Sequence, residues 1–220
     1  MDIWLDTANP DAVKKATRFG LLCGVTTNPS LIAQSKRTLQ EVLEDLLHVQ
    51  QGPVTAQVIS NDVNEMVEQG KSLYSFSNRL IIKIPLTENG LEAIHLLSRL
   101  GIPTMGTIVF NARQALLASL AGADYIAPYL GRLEKIGEDP WLILKTIAHL
   151  FTTYRLKTKI LGASLQTIEH VLKCAEIGIC AVTIKENLFK KMIETDDMTQ
   201  KSIEQFAIDW KSVKPSPFIF

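Results

Sequence analysis

Short apolar runs alternate with longer segments of helical period along the whole chain. The runs are IWLDTA (3–8), GVTTN (24–28), VTAQVIS (54–60), LIIKIPL (80–86), TMGTIVF (104–110), DYIAPYL (124–130), KILGAS (159–164) and AVTIKE (181–186). Runs of this length predict strands, and near-continuous hydrophobicity predicts burial on both faces. Between them lie the amphipathic stretches PDAVKKATRFG, LQEVLEDLLHVQQ, VNEMVEQGKSLYSF, LEAIHLLSRLG, ARQALLASLAGA, PWLILKTIAHLFTTY and LQTIEHVLKCAEIG. In LEAIHLLSRLG, Leu91, Ile94, Leu97 and Leu100 recur at helical spacing. Gly20, Gly101, Gly122 and Gly178 stand where such helices should stop.

Strand–helix alternation predicts a parallel sheet with right-handed crossovers. Eight such units point to an α/β fold closed as a (β/α)8 TIM barrel, compact beside the usual length of about 250 residues. An open doubly wound sheet is the alternative. Its dinucleotide-binding version is disfavoured, because the first strand–helix turn, DTANPDAV, has no GxGxxG. No linker or low-complexity tract interrupts residues 1–220, so one domain is expected. From about residue 197 a further helix, TQKSIEQFAIDWKSV, and a tail, KPSPFIF, follow the eighth unit. Ile203, Phe206 and Trp210 form the expected stripe of that helix, and Phe218 and Phe220 need cover from the barrel or another subunit.

Composition narrows the function. Lys+Arg and Asp+Glu each number 23, which leaves no basic footprint for nucleic acid. The N-terminus MDIWLDTANP lacks the charged and apolar regions of a signal peptide, and no apolar run reaches the ~18 residues of a membrane span. Cys23, Cys174 and Cys180 form an odd, sparse set without metal-type spacing, which fits a reducing compartment. A soluble cytoplasmic protein is expected. His48, His95, His149 and His170 fall in helical segments, mostly on polar sides, and no pair has zinc-ligand spacing.

Catalytic groups of such barrels sit at the C-terminal strand ends. Strand 1 ends with Asp6 and strand 2 with Thr26, Thr27 and Asn28. Strands 3 and 4 carry Gln57 and Lys83, and strand 5 carries Thr107. Strand 6 brings Tyr129 with Arg132 just beyond, strand 7 ends in Ser164, and strand 8 offers Thr183 and Lys185. A barrel built only for stability would leave these groups buried at a cost. Converging on one pocket, they make a polar site.

Lys83 is the most telling. In LIIKIP it shares a face with Ile81, while Leu80, Ile82 and Ile84 share the other. If the second set faces the helices, Lys83 projects into the barrel. Lysine is almost never fully buried unpaired. Burial lowers its pKa from about 10.4, toward ~7–8 in catalytic cases. A neutral amine attacks carbonyl carbon and forms a Schiff base, whose iminium withdraws electrons from a neighbouring C–C bond. Ordinary readings compete at each position. A strand lysine can snorkel; Asp6 can be a turn carboxylate; Thr26 and Asn28 can cap a helix starting at Pro29. Tyr129 can be a rim aromatic and Arg132 a solvated charge.

At these residues the sequence resembles the transaldolase family, short-chain branch, which includes fructose 6-phosphate aldolase. The matching segments are LDTA (5–8), GVTTNPSLI (24–32), AQVIS (56–60), IIKIPLTENGLEAI (81–94), GIPTMGTIVF (101–110), AGADYIAPYLGR (121–132) and LGAS (161–164). The resemblance implies a class I aldolase barrel with no metal or other cofactor. In it, Lys83 matches the Schiff-base lysine and Asp6 the carboxylate of proton transfer. Thr26, Asn28 and Ser164 match substrate-binding positions, and Arg132 matches a phosphate-holding arginine. Transaldolases typically have glutamate on strand 3 and phenylalanine on strand 6; this chain has Gln57 and Tyr129, as the aldolase branch does. Gln57, Thr107 and Tyr129 would then share a catalytic water. The resemblance also implies phosphorylated sugars and dihydroxyacetone as partners, and a homo-oligomer of pentamers or a decamer. The VTIKEN segment (182–187) is the weakest match, and Lys185 is there a candidate for added phosphate affinity only, outside the site set.

Overall fold

The computed structural model describes residues 1–213. All eight runs are strands: β1 Asp2–Asp6, β2 Leu22–Thr26, β3 Val54–Gln57, β4 Leu80–Pro85, β5 Thr104–Val109, β6 Tyr125–Pro128, β7 Lys159–Gly162 and β8 Ala181–Ile184. They pair in chain order, and β8 pairs parallel with β1, closing the barrel. The open-sheet alternative is thereby excluded.

The helices are α1 Pro10–Thr17, α2 Pro29–Ser35, α3 Leu39–Val49, α4 Val63–Phe76, α5 Glu88–Arg99, α6 Ala112–Ala121, α7 Leu130–Lys135, α8 Pro140–Thr153, α9 Ile168–Ile177, α10 Glu186–Met192 and α11 Asp197–Trp210. Short polar side chains set their starts. Asn9, Asn28, Thr38, Asp62, Thr87, Asn111, Asp139 and Thr167 each accept a backbone N–H of the first turn. Gly122 and Gly178 end α6 and α9 in the left-handed conformation that glycine adopts without steric cost. The short α7 and α10 are additions to the sequence reading, because six or seven residues span too few turns to show a period.

Two apolar layers flank the strands. Leu80, Ile82 and Ile84 belong to the outer core under the helices, while Ile81 joins Trp4, Met105, Ala127, Leu161, Ala163 and Ala181 inside the barrel. The period-two assignment of β4 therefore holds, and Lys83 points inward with Ile81. Trp4 fills the barrel because Gly24, its neighbour in register, has no side chain. A Cβ at Gly24 would lie 2.8 Å from the Trp4 ring and 2.8 Å from the Pro53 carbonyl.

Three expectations change at the periphery. Leu100 is exposed, since α5 ends one residue before it and releases it from the packed stripe of Ile94 and Leu97. His170 is buried rather than on a polar side, because its edge packs against Trp141 across the α8–α9 interface. Helix α11 buries none of its residues, and Ile203, Phe206 and Trp210 are all exposed. Phe218 and Phe220 lie outside the described residues. Among the described residues, no helix is long and apolar enough to cross a membrane.

Candidate active site

A cavity of about 320 Å³ opens at the C-terminal ends of the strands. Asp6, Thr26, Asn28, Lys83, Tyr129, Arg132 and Ser164 all line it. A larger groove, about 730 Å³, runs between α8 and α9 on the outside of the barrel, away from the strand ends. The smaller cavity is the candidate site, because the buried, inward-facing Lys83 lies at its floor.

Lys83 is 4% exposed, and its Nζ donates to the Thr27 carbonyl over 2.9 Å. Burial among apolar side chains pushes its pKa down to about 8; Asp6 opposes that shift and Arg132 adds to it. An amine so placed is about one-tenth neutral at pH 7, against a few parts in ten thousand for a free lysine. Thr27 is fixed in turn. Its N–H donates to Thr55 Oγ1 over 3.1 Å, and its hydroxyl donates to the Thr55 carbonyl over 2.6 Å. These bonds extend the β2–β3 contact beyond its single register pair, Val25 with Val54.

Asp6 ends β1 beside Thr26, its register partner on β2. Thr26 Oγ1 donates to Asp6 Oδ1 over 2.8 Å. Its oxygen then accepts from Thr183 Oγ1 at 2.7 Å, so three strands hold one carboxylate in place. Asn28 does two things at once. Its Oδ1 caps α2 by accepting from Leu31 N–H over 3.1 Å, and its side chain also lines the cavity. The capping reading and the site reading are therefore compatible.

On the opposite side, Tyr129 follows β6 and serves as the N-terminal boundary of α7. Its hydroxyl lies 3.1 Å from Thr107 Oγ1, and the Arg132 guanidinium stacks 4.7 Å from its ring centre. Thr107 owes its aim to a break in β5. The register against β6 shifts between Gly106 and Val109, and Ile108 takes φ 62°, an unusual value for a β-branched residue. Strain of this kind collects at functional sites.

Two expected residues stand slightly apart. Thr107 is fully buried and reaches the cavity only through Tyr129. Gln57 is the register partner of Lys83, yet among the described residues its side chain has no hydrogen-bond partner, and it is not among the residues lining the cavity. A direct Thr107–Tyr129 contact thus exists without Gln57. Ser164 stands two residues past β7, in the left-handed conformation (φ 64°), and faces the cavity from the β7–α9 loop. Lining residues outside the expected set include Met105, Leu161 and Lys135. Met105 and Leu161 were accessible from inward period-two positions. Lys135 was not, because its helix was not visible in the sequence. Among the described residues, no group of three or more His, Cys, Asp or Glu side chains is placed to hold a metal ion.

Comparison with known proteins agrees with this architecture. The family model described as Transaldolase/Fructose-6-phosphate aldolase matches residues 3–216. A probable transaldolase of Clostridium tetani (strain Massachusetts / E88) is 41% identical over 213 residues, 97% of this chain and 99% of the relative. Probable transaldolase 1 of Listeria monocytogenes serotype 4b is 39% identical over 214 residues, covering 97% of this chain and all of the relative. A probable transaldolase of Coprothermobacter proteolyticus is 41% identical over 222 residues, with 99% and 100% coverage. An eight-stranded barrel with a buried lysine at its polar end, matched in this way over nearly its whole length, belongs to the transaldolase/fructose-6-phosphate aldolase family.

Proposed function

We propose that this enzyme is a Schiff-base aldolase that cleaves and forms fructose 6-phosphate from dihydroxyacetone and glyceraldehyde 3-phosphate. The observation that carries the reading is Lys83, buried at the cavity floor with its pKa near 8. The neutral amine attacks the ketone carbon, and loss of water gives an iminium. Asp6, held by Thr26, is placed to relay protons in that dehydration. Tyr129, backed by Thr107, takes the C4 hydroxyl proton as the C3–C4 bond breaks. The bonding electrons pass to the iminium, leaving an enamine on Lys83. Glyceraldehyde 3-phosphate departs with its phosphate at Arg132. Protonation of the enamine and addition of water release dihydroxyacetone and restore the amine. Asn28 and Ser164 bind substrate hydroxyls at the cavity wall. Gln57 joins Thr107 and Tyr129 through a shared water.

A second reading has its own support: the relatives are named probable transaldolases. In that reading the enamine waits for an aldose phosphate acceptor, and dihydroxyacetone units pass between sugar phosphates such as sedoheptulose 7-phosphate and glyceraldehyde 3-phosphate. Gln57 and Tyr129, where transaldolases typically carry glutamate and phenylalanine, favour release over transfer. A non-catalytic sugar-phosphate-binding barrel is the remaining alternative. We propose further a cytoplasmic homo-oligomer, as pentamers or a decamer; the exposed apolar residues of α11 offer a surface for association.

Borohydride reduction in the presence of fructose 6-phosphate tests the chemistry. A three-carbon adduct on Lys83, lost in Lys83→Met, is expected; reversible binding without an adduct favours the non-catalytic barrel. Dihydroxyacetone release measured with and without erythrose 4-phosphate then divides the two enzymes. Release that strictly requires the acceptor overturns the aldolase reading.

A further inference from the structure

Two glutamates adjoin cavity lysines in sequence, and both are held away from the cavity. Glu134 precedes Lys135, and its Oε2 lies 3.4 Å from Nε2 of His170 on α9. Glu186 follows Lys185, and its two oxygens accept from the Thr7 hydroxyl and, at 3.4 Å, from the Asn9 side-chain amide. Neither glutamate lines the cavity, while Lys135 and Lys185 both do. Among the described residues, neither lysine side chain has an ion-pair partner or a hydrogen bond. The Arg132 guanidinium stacks on Tyr129 and, among the described residues, has no carboxylate partner.

The cavity wall therefore carries four basic side chains, Lys83, Arg132, Lys135 and Lys185, against one carboxylate, Asp6. Asp6 is itself engaged by Thr26. Lys83 lies on the floor, which leaves three cations at the rim without counter-charge. They arrive from two sides. Arg132 and Lys135 stand on α7, after β6, and Lys185 stands just past β8. Strand β7 runs between, and its following loop presents Ser164 and Gln166 to the same cavity. A rim lysine is ordinarily a solvated charge. These two differ because the acids beside them are occupied elsewhere, so the excess positive charge is left facing the opening. A phosphate monoester carries about −1.5 to −2 charges near neutral pH and offers several acceptor oxygens. One guanidinium neutralises only part of that charge.

We propose that Lys185 and Lys135 are specificity-determining residues, which with Arg132 hold the substrate phosphate from both flanks of the β7–α9 loop. They set the preference for a phosphorylated aldehyde over an unphosphorylated one. This rests on the aldolase reading and adds to it the residues that select the acceptor.

The test compares wild type with Lys185→Gln, Lys135→Gln, Lys185→Arg and Lys190→Gln. Lys190 lies on α10 outside the cavity and serves as the control. Dihydroxyacetone addition is measured with glyceraldehyde 3-phosphate and with glyceraldehyde. The ratio of the two kcat/KM values is expected to fall about tenfold in Lys185→Gln and about threefold in Lys135→Gln, as loss of a charged hydrogen bond predicts. Lys185→Arg restores it, and Lys190→Gln keeps the wild-type ratio. The dissociation constant for inorganic phosphate, measured by calorimetry without turnover, rises in the same order. An unchanged ratio in both glutamine variants, or equal losses with both aldehydes, overturns the assignment. Borohydride trapping separates the two failures. A Lys83 adduct with an unchanged ratio removes only the lysine roles. Absence of any adduct removes the aldolase reading, and the phosphate titration then decides the lysines by itself.

Discussion

Lys83 Nζ lies 2.9 Å from the carbonyl oxygen of Thr27, and that carbonyl is its one hydrogen-bond partner among the described residues. A neutral amine that donates one N–H to a carbonyl keeps its lone pair free and oriented. The Thr27–Thr55 bonds hold that carbonyl still. The proposed nucleophile is thus hydrogen-bonded to backbone rather than to an acid, which would raise its pKa.

The first consequence is a pH profile. Below the Lys83 pKa of about 8, the neutral fraction grows tenfold per pH unit. The value of kcat/KM for the phosphorylated ketose should rise with pH and level off above about 8, corrected for titration of the substrate phosphate. A profile flat from pH 6 to 9, a range taken about that pKa, would detach Lys83 from the rate.

The same shift acts on stability. The folded lysine sits near 8 and an unfolded one near 10.4. Between those values the unfolded chain binds more protons, so wild-type stability rises with pH across that window. Below about 8 the burial cost, roughly 3 kcal/mol, is fully present. Lys83→Met should therefore be the more stable protein at pH 7, with its advantage shrinking toward pH 10. Denaturant melts of both chains at the two pH values measure this.

Tyr129→Phe should lower dihydroxyacetone release by about 10²–10⁴-fold, the usual span for a lost general base. Transfer to erythrose 4-phosphate should suffer less. Thr107→Val should give a smaller loss, and the double variant should fall short of the product of the two, because the hydroxyls form one contact. Equal losses of release and transfer would take Tyr129 out of its role.

Gly24→Ala places a Cβ 2.8 Å from Trp4 and should destabilise the barrel by about 1–3 kcal/mol through overpacking. Adding Trp4→Leu should recover part of the loss. Simple additivity would show that the Pro53 carbonyl, at the same distance, is the real obstacle.

Phe206 on α11 is 69% exposed, and Ile203, Ile208 and Trp210 are exposed beside it. If this helix covers a neighbouring copy, Phe206→Glu should lower the mass in solution measured by light scattering. A monomeric wild type would end the oligomer proposal.

The barrel was legible because burial on two faces writes strands as uninterrupted apolar runs, and the lysine in LIIKIP breaks the pattern at one position. Period-two alternation then placed Lys83 and Ile81 inside. Other parts of the site were hidden for physical reasons. The Thr27 carbonyl is backbone, which no residue type announces. The turn of β5 at Ile108 breaks propensity, since a β-branched residue disfavours φ 62°. Helix α7 is too short for its period to show, so Lys135 had no face to be assigned to. The partners of Glu186 and Glu134, Thr7 and His170, are distant in sequence and meet the glutamates only in the closed barrel, so the lysines beside those acids could not be read as unpaired.

Beneath Lys83 the barrel is filled by Trp4, Ile81, Met105 and Leu161, all buried. The chamber therefore has a closed floor, and its volume of about 320 Å³ lies on the strand-end side of that plug. Gly24 makes room for the tryptophan ring within the barrel. One missing side chain thus lets the barrel interior be filled solidly, so that the polar chamber ends in apolar packing.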